Sequence, residues 1–375
     1  MLRSTLLHRL APLTFLLAAP LGAQDLGPPV STEERIRALE DTVRRQAQKI
    51  ERLEAASGET DPARIEAAVD RYLETKEDEG ELTKLTAGWD GKFFVKSEDD
   101  AFRLEIGGYG DTSGRFFQRE YGGVDTWYFR EVRPHLYGYL WKDCEFKLQL
   151  GLEASSVRMM DGWINLRHIP EAQLKFGQFK QPFGLDQLTG TEVLEFAERS
   201  ILGKNFAPSR DPSVQLHGKL FEGLIEYAAA VSNGDGLNAG DSNDEKDFAG
   251  RVVVTPFKKT ENWWVKGLRL GGNATHGVQG KSLGGRTFLT AGDSAWFRFA
   301  SGVESVSTLD RVGADFAWYV GPASIKGEWN RLTYDDLVLR GATRAQDVRR
   351  DFLADGYYVS ASYLLTGEDR TAAVV

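Results

Sequence analysis

Cysteine occurs once, at Cys144, in a chain of 375 residues, which rules out an internal disulfide framework and a zinc site built on several thiolates. Positive charge is in deficit: 46 Lys and Arg face 55 Asp and Glu, for a net charge of -9. A general nucleic-acid binder neutralises phosphates with clustered Lys and Arg, so that partner class is set aside. Beyond the N-terminus no apolar run approaches the roughly 18 residues of a spanning helix. That excludes a bundle of membrane helices but leaves open a membrane barrel built of strands. Proline is sparse at 12, whereas glycine reaches 40 and Phe, Tyr and Trp number 21, 12 and 9. Such a composition suits strands and tight turns rather than disorder.

Constellations for catalysis are missing too, and an enzyme is not expected. Gly108-Tyr109-Gly110 with Gly114 lacks dinucleotide spacing, and Gly280-Lys281-Ser282 has Thr275 where a phosphate loop needs its first glycine. His135, His168, His217 and His276 are scattered without metal-ligand spacing. Asp235, Asp241, Asn243 and Asp244 supply hard oxygens in the loop 233–247. They lack the calcium-loop order and read as a solvated turn. No metal or cofactor is expected.

Three regions follow along the chain. Residues 1–23 join a basic start (Arg3, His8, Arg9), an apolar stretch from Leu10 to Leu21 and a small-residue end at Gly22-Ala23. This is the pattern of a cleaved secretory signal; an uncleaved anchor would have to tolerate Pro12 and Pro20. Residues 24–85 are rich in Glu, Arg and Ala, and Ile36, Leu39, Val43, Ile50 and Leu53 fall on a and d heptad positions, with Gln46 on the remaining d. They predict a short coiled coil or, alternatively, a single amphipathic helix. Ser57-Gly58 break the pattern and Asp61-Pro62 restart a helix carrying Ile65, Val69 and Tyr72. β-Branched residues at a with Leu at d favour two chains if nothing else decides, so the number of chains stays open.

From Ala87 onward the period becomes 2. Phe146, Leu148, Leu150 and Leu152 alternate with Glu145, Lys147, Gln149, Gly151 and Glu153, and Val312, Ala314, Phe316 and Trp318 with Arg311, Gly313, Asp315 and Tyr319. Segments of about 9 to 11 residues match the length of a tilted membrane strand. Alternation alone fits a soluble sandwich equally well, with its faces reversed. The secretory signal, the strand length and aromatics near strand ends (Trp127, Tyr137, Trp141, Trp263, Trp264, Tyr357) favour an all-β, antiparallel transmembrane barrel over residues 86–375. About twelve or thirteen strands can be counted.

Five strings then become recognisable: TAGWDGKFFVKSEDDAFRLEIGGY (86–109), RPHLYGYLWKDCEFKLQL (133–150), LKFGQFKQPFGLD (174–186), ERSILGKNFAPSRDPSVQLHG (198–218) and GYYVSASYLLTGE (356–368). They resemble the phosphate- and polyphosphate-selective porin family of the O and P type. The resemblance implies an outer-membrane homotrimer of barrels of about sixteen strands that passes small anions by diffusion. It also implies a periplasmic helical segment that trimerises, overriding the two-chain preference. Outer-membrane barrels of this kind finish on an aromatic residue, whereas this sequence stops at Thr371-Ala372-Ala373-Val374-Val375. The expectation is therefore a chain lacking some C-terminal strands.

Anion preference requires Lys or Arg on the wet face or on an inward-folded loop. Lys147, Lys175 and Arg251 alternate with apolar residues, and Arg133 stands opposite Val132 and Leu136. Arg130 keeps one position of the family's tandem arginines, but its neighbour is Glu131, a departure that weakens phosphate specificity. Lys180 lies at a strand end, and by resemblance Arg199, Lys204 and Arg210 lie in the segment that constricts the barrel. Each is also compatible with a solvated surface charge. The competing function is an envelope tether, with the coiled coil reaching the cell wall and the barrel anchored in outer-membrane lipid.

Overall fold

A computed structural model of the chain describes residues 84–370, apart from 119–123, 155, 242, 279 and 342, together with Arg71. The chain divides into two compact units, Met1–Leu82 and Thr83–Val375. The signal peptide (1–23) and nearly all of the coiled coil (24–85) lie outside the described residues, and Leu85 already begins the first strand.

The second unit is almost entirely strand. Its first half holds β1 (Leu85–Trp89), β2 (Phe93–Ser97), β3 (Phe102–Arg115), β4 (Thr126–Leu140), β5 (Cys144–Gly151), β6 (Arg158–Leu166) and β7 (Gln173–Lys180). Then come β8 (Arg210–Leu220), β9 (Ile225–Ser232), β10 (Asp247–Val254), β11 (Gly267–Val278) and the two-residue β12 (Lys281–Ser282). The remainder are β13 (Thr287–Leu289), β14 (Ala295–Arg298), β15 (Val303–Ser305), β16 (Thr308–Val320), β17 (Ala323–Leu339) and β18 (Val348–Tyr363). Sixteen of them form one sheet in which sequence neighbours pair antiparallel; β13 and β14 form a separate hairpin. Because β12 and β15 only continue β11 and β16, the wall has fourteen strand positions among the described residues. That exceeds the twelve or thirteen counted from alternation. β1 and β18 each have one paired neighbour among the described residues.

Side-chain placement decides between sandwich and barrel. On β8, Val214 and Leu216 are 50% and 45% exposed, while Gln215 between them is 7% exposed. On β10, Val252 is exposed and Arg251 is buried. Apolar residues outside and polar residues inside are the reverse of a water-soluble sheet and the arrangement of a porin-type wall. Trp263, Trp264 and Trp318 stack at the rim of this apolar band, as aromatic girdles do at a membrane interface. No helix among the described residues is long and apolar enough to cross a membrane, which says nothing against strands.

Connections sort by end. Those of 141–143, 167–172, 221–224 and 321–322 are short and share one end with the longer 255–266, whereas 116–125, 181–209, 233–246 and 279–307 share the other with the shorter 152–157 and 340–347. The segment 181–209 folds inward, with α1 (Leu185–Leu188) and α2 (Ile201–Asn205) on it. Phe183, Leu185, Leu202 and Phe206 are all buried. One side touches β17, where the Asp186 N–H donates to Glu328 Oε2 at 3.0 Å, and the other touches β4, where Thr191 Oγ1 donates to Glu131 at 3.4 Å. The sheet therefore curls around this segment.

Candidate functional site

Cavities border the inward segment on both sides: one of about 520 Å³ lies against β17 and β18, lined by Glu195, Lys326 and Tyr358, and three others follow one another along its opposite side. A central one of about 70 Å³ lies between the segment and β3 to β8. Lys180 and Asp161 also line a chamber of about 390 Å³ toward the short-turn end. Arg210 links the central cavity to another of about 390 Å³ toward the long-loop end.

Cations converge on the central cavity. Arg133, Lys147, Lys180, Arg199 and Arg210 line it, against Glu131, Asp161 and Glu192. In a chain of net charge -9 this is a local reversal of sign. Several of the five are neutralised. Buried Asp161 accepts Arg210 Nε at 2.7 Å and lies 3.2 Å from Lys147 Nζ. Arg133 is paired with Glu153 at 2.7 Å. Two cations meet backbone oxygens instead of carboxylates. Lys180 Nζ donates to the Thr189 carbonyl at 3.2 Å. Arg199 donates to the same carbonyl at 2.8 Å, to the Thr191 hydroxyl at 3.4 Å and to the Asp186 carbonyl. Carbonyl dipoles hold these side chains in place without cancelling their charge. Burial pulls the Arg199 guanidinium down from its ordinary range, with Asp186 and Glu131 opposing, but an arginine stays protonated.

The nine positions singled out from the sequence fall into four groups. Arg133, Lys147, Lys180, Arg199 and Arg210 meet in the central cavity. Lys175 and Arg251 line the short-turn chamber, Arg251 in a two-toothed pair with Asp315 at 2.5 and 2.9 Å. Lys204 lines the long-loop chamber and is paired with Asp293. Arg130 stands apart, held at 2.5 Å by Asp111 from the facing strand. Sequence reasoning missed Asp161, Tyr109, Gln187 and Thr191. Asp161 carried a signal, being a lone acid in the string RMMDGWINL. Among the described residues no group of three or more His, Cys, Asp or Glu is placed to hold a metal ion.

The long-loop end carries an apolar plug. The β13–β14 hairpin places Phe288, 1% exposed, against Phe206, Phe297, Phe299 and Phe352. Asn205 and Leu289 exchange hydrogen bonds at 2.8 and 2.7 Å. The hairpin's Asp293 bridges Lys204 on the segment to Arg115 on β3. Burial raises the Asp293 carboxyl, yet Lys204 and Arg115 outweigh it and hold the group below the usual aspartate range.

Glu195 fastens the middle of the segment, pairing with Lys326 of β17 and, at 2.8 Å, with Arg370. Burial pushes its carboxyl up, but these two partners bring the net below the ordinary glutamate value. A depressed carboxylate pKa contributes stability in full above the unfolded value, near 4.3, and loses it as pH falls through the folded one. Single-channel noise in a planar bilayer should therefore stay flat from about pH 8 to 5 and rise only below about pH 4. A transition between about pH 6 and 7 would assign control of the segment to a different group.

Porin O of Pseudomonas aeruginosa PAO1 is 24% identical over 315 residues, covering 75% of this chain and 68% of the relative. The crystal structure of Acinetobacter baumannii OccAB3 aligns with a TM-score of 0.28 and 12% identity, covering 72% of this chain and 67% of that one. Residues 106–372, most of the wall and the whole of the inward segment, match the family described as phosphate-selective porin O and P. The chain belongs to that family.

Proposed function

We propose that the protein is an outer-membrane porin through which small anions diffuse passively, with short turns facing the periplasm and long loops facing outward. Support for that orientation is the general asymmetry of outer-membrane barrels, whose periplasmic turns are short. The observation that carries the reading is the pair Lys180 and Arg199, two cations held by carbonyl oxygens at the small central cavity. A low-dielectric wall strengthens such fixed charge, attracting anions and repelling cations without holding either tightly. Phosphate is an acceptable passenger, because Arg and Lys together offer directional and point-charge contacts. Neutralisation of Arg130 by Asp111 removes one contact that phosphate specificity would use. The homotrimer rests on the sequence resemblance, the helical segment on the heptad spacing of residues 24–85, and a cell-wall contact belongs to the tether reading.

Reversal potentials across a potassium chloride gradient test the proposal, with chloride preference expected and potassium preference sinking it. Stepwise current also separates a porin from an envelope tether, which would insert without conducting.

A further inference from the structure

The short-turn chamber differs in chemistry from the central cavity. Its four carboxylates each have a cationic partner. Asp161 holds Arg210 and Lys147, Asp315 holds Arg251, Glu226 lies 3.0 Å from Arg269, and Glu145 lies 3.3 Å from Arg167. Lys175, Lys180 and Lys219 of the cavity lining are not used in these pairs. The Lys175 ammonium sits 4.5 Å from the Trp163 ring centroid and 5.5 Å from that of Phe179. Trp163 faces Gly177 in the β6–β7 register, and Gly177 has φ of +123°. A Cβ at Gly177 would come within 2.7 Å of the Trp163 Cα and 2.2 Å of the Gly162 carbonyl. Glycine thus permits the close strand approach that sets Lys175 beside the indole, and cation–π attraction keeps the charge over an aromatic surface.

Leu185 and Leu188 of α1 line the same cavity, with Val253 and Ala317. An inorganic anion keeps its hydration shell and gains nothing from such walls. An organic anion gains from them, because its carbon body leaves water as its charged end meets the lysines. A volume of about 390 Å³ lies in the range of small-molecule pockets.

We propose that this chamber binds small aromatic monocarboxylates, the carboxylate at Lys175 and Lys180 and the ring against Trp163, Leu185 and Leu188. This rests on the reading of the protein as a pore and names a class of solute that the pore retains on its way through.

Benzoate, acetate and inorganic phosphate, each titrated against the potassium chloride current of the full-length protein in planar bilayers, test it. Benzoate should reach half-block at a concentration about tenfold below acetate. Trp163→Leu should raise the benzoate value about fivefold and more than the acetate value. Lys175→Gln should weaken both. Heat-dependent gel mobility establishes that each variant is folded. Equal half-block by benzoate and acetate in a conducting channel, or a Trp163→Leu effect that is the same for both, overturns the proposal. Absence of any chloride current would instead overturn the pore itself, and the two failures are distinct.

Discussion

An Arg199→Glu substitution is expected to abolish the chloride preference, and the same substitution combined with Lys180→Gln to reverse it. The central cavity is lined by five cations and three acids, a surplus of two. Charge reversal at Arg199 removes that surplus, and loss of Lys180 then leaves one net negative charge. A unit charge 4 Å from a passing ion is worth about 1 kcal/mol in water and about 4 at the effective dielectric of a protein surface. Taking the lower figure, each removed charge should change the permeability of each ion about fivefold, in opposite senses for chloride and potassium. Screening shortens the reach of these charges to about 10 Å at 0.1 M and about 3 Å at 1 M salt, so the effect should be largest in dilute salt. Arg199 also ties Thr189, Thr191 and Asp186 together, and Arg199→Lys is the control, since it keeps charge while losing the planar fork. Near wild-type selectivity in Arg199→Lys with loss in Arg199→Glu assigns the effect to charge. An unchanged reversal potential in the double variant would remove the central cavity from the selectivity mechanism.

Phe288→Ala should release the plug. Phe288 is fully enclosed and in ring contact with Phe206, Trp296, Phe297, Phe299 and Phe352 at centroid distances of 5.4 to 6.2 Å. Removal of a buried phenyl costs about 3 to 5 kcal/mol. What remains to dock the hairpin is Phe297 against Phe352 at 5.1 Å, the Arg286 bond to the Tyr334 hydroxyl, the Asn205–Leu289 exchange and the partly exposed Asp293 bridges, the polar ones worth about 1 kcal/mol each or less. The loss weakens docking of the hairpin enough for it to open transiently while the wall, held by backbone ladders, stays intact. Conductance and current noise in 1 M potassium chloride should both rise, and the anion preference should hold, because Lys180 and Arg199 are untouched. Lower thermal stability with unchanged conductance would show that the hairpin braces the wall without obstructing flow.

Inside and outside were legible from alternation because strand side chains change face at every residue. The period marked Lys147, Lys175 and Arg251 as inward, and all three line cavities. The 198–218 string located the inward segment's second half through family resemblance. Arg130 shows where such reading stops. Its place beside Glu131 is written in the sequence, whereas its capture by Asp111 depends on the β3–β4 register, which shifts between Asp111 and Thr112. The β13–β14 hairpin was invisible for a similar reason: strands of three and four residues are too short to show a period.

By itself, the amino-acid sequence determined the strand-rich wall, the greasy exterior and the presence of inward cations, since these follow from the order of neighbouring residues. Tertiary structure alone decided which cations keep their charge uncancelled. Pairing depends on carboxylates brought from distant strands, as Asp161 reaches Arg210 and Asp315 reaches Arg251. Coulomb attraction acts through space, and only the curl of the sheet and its inward segment set those distances.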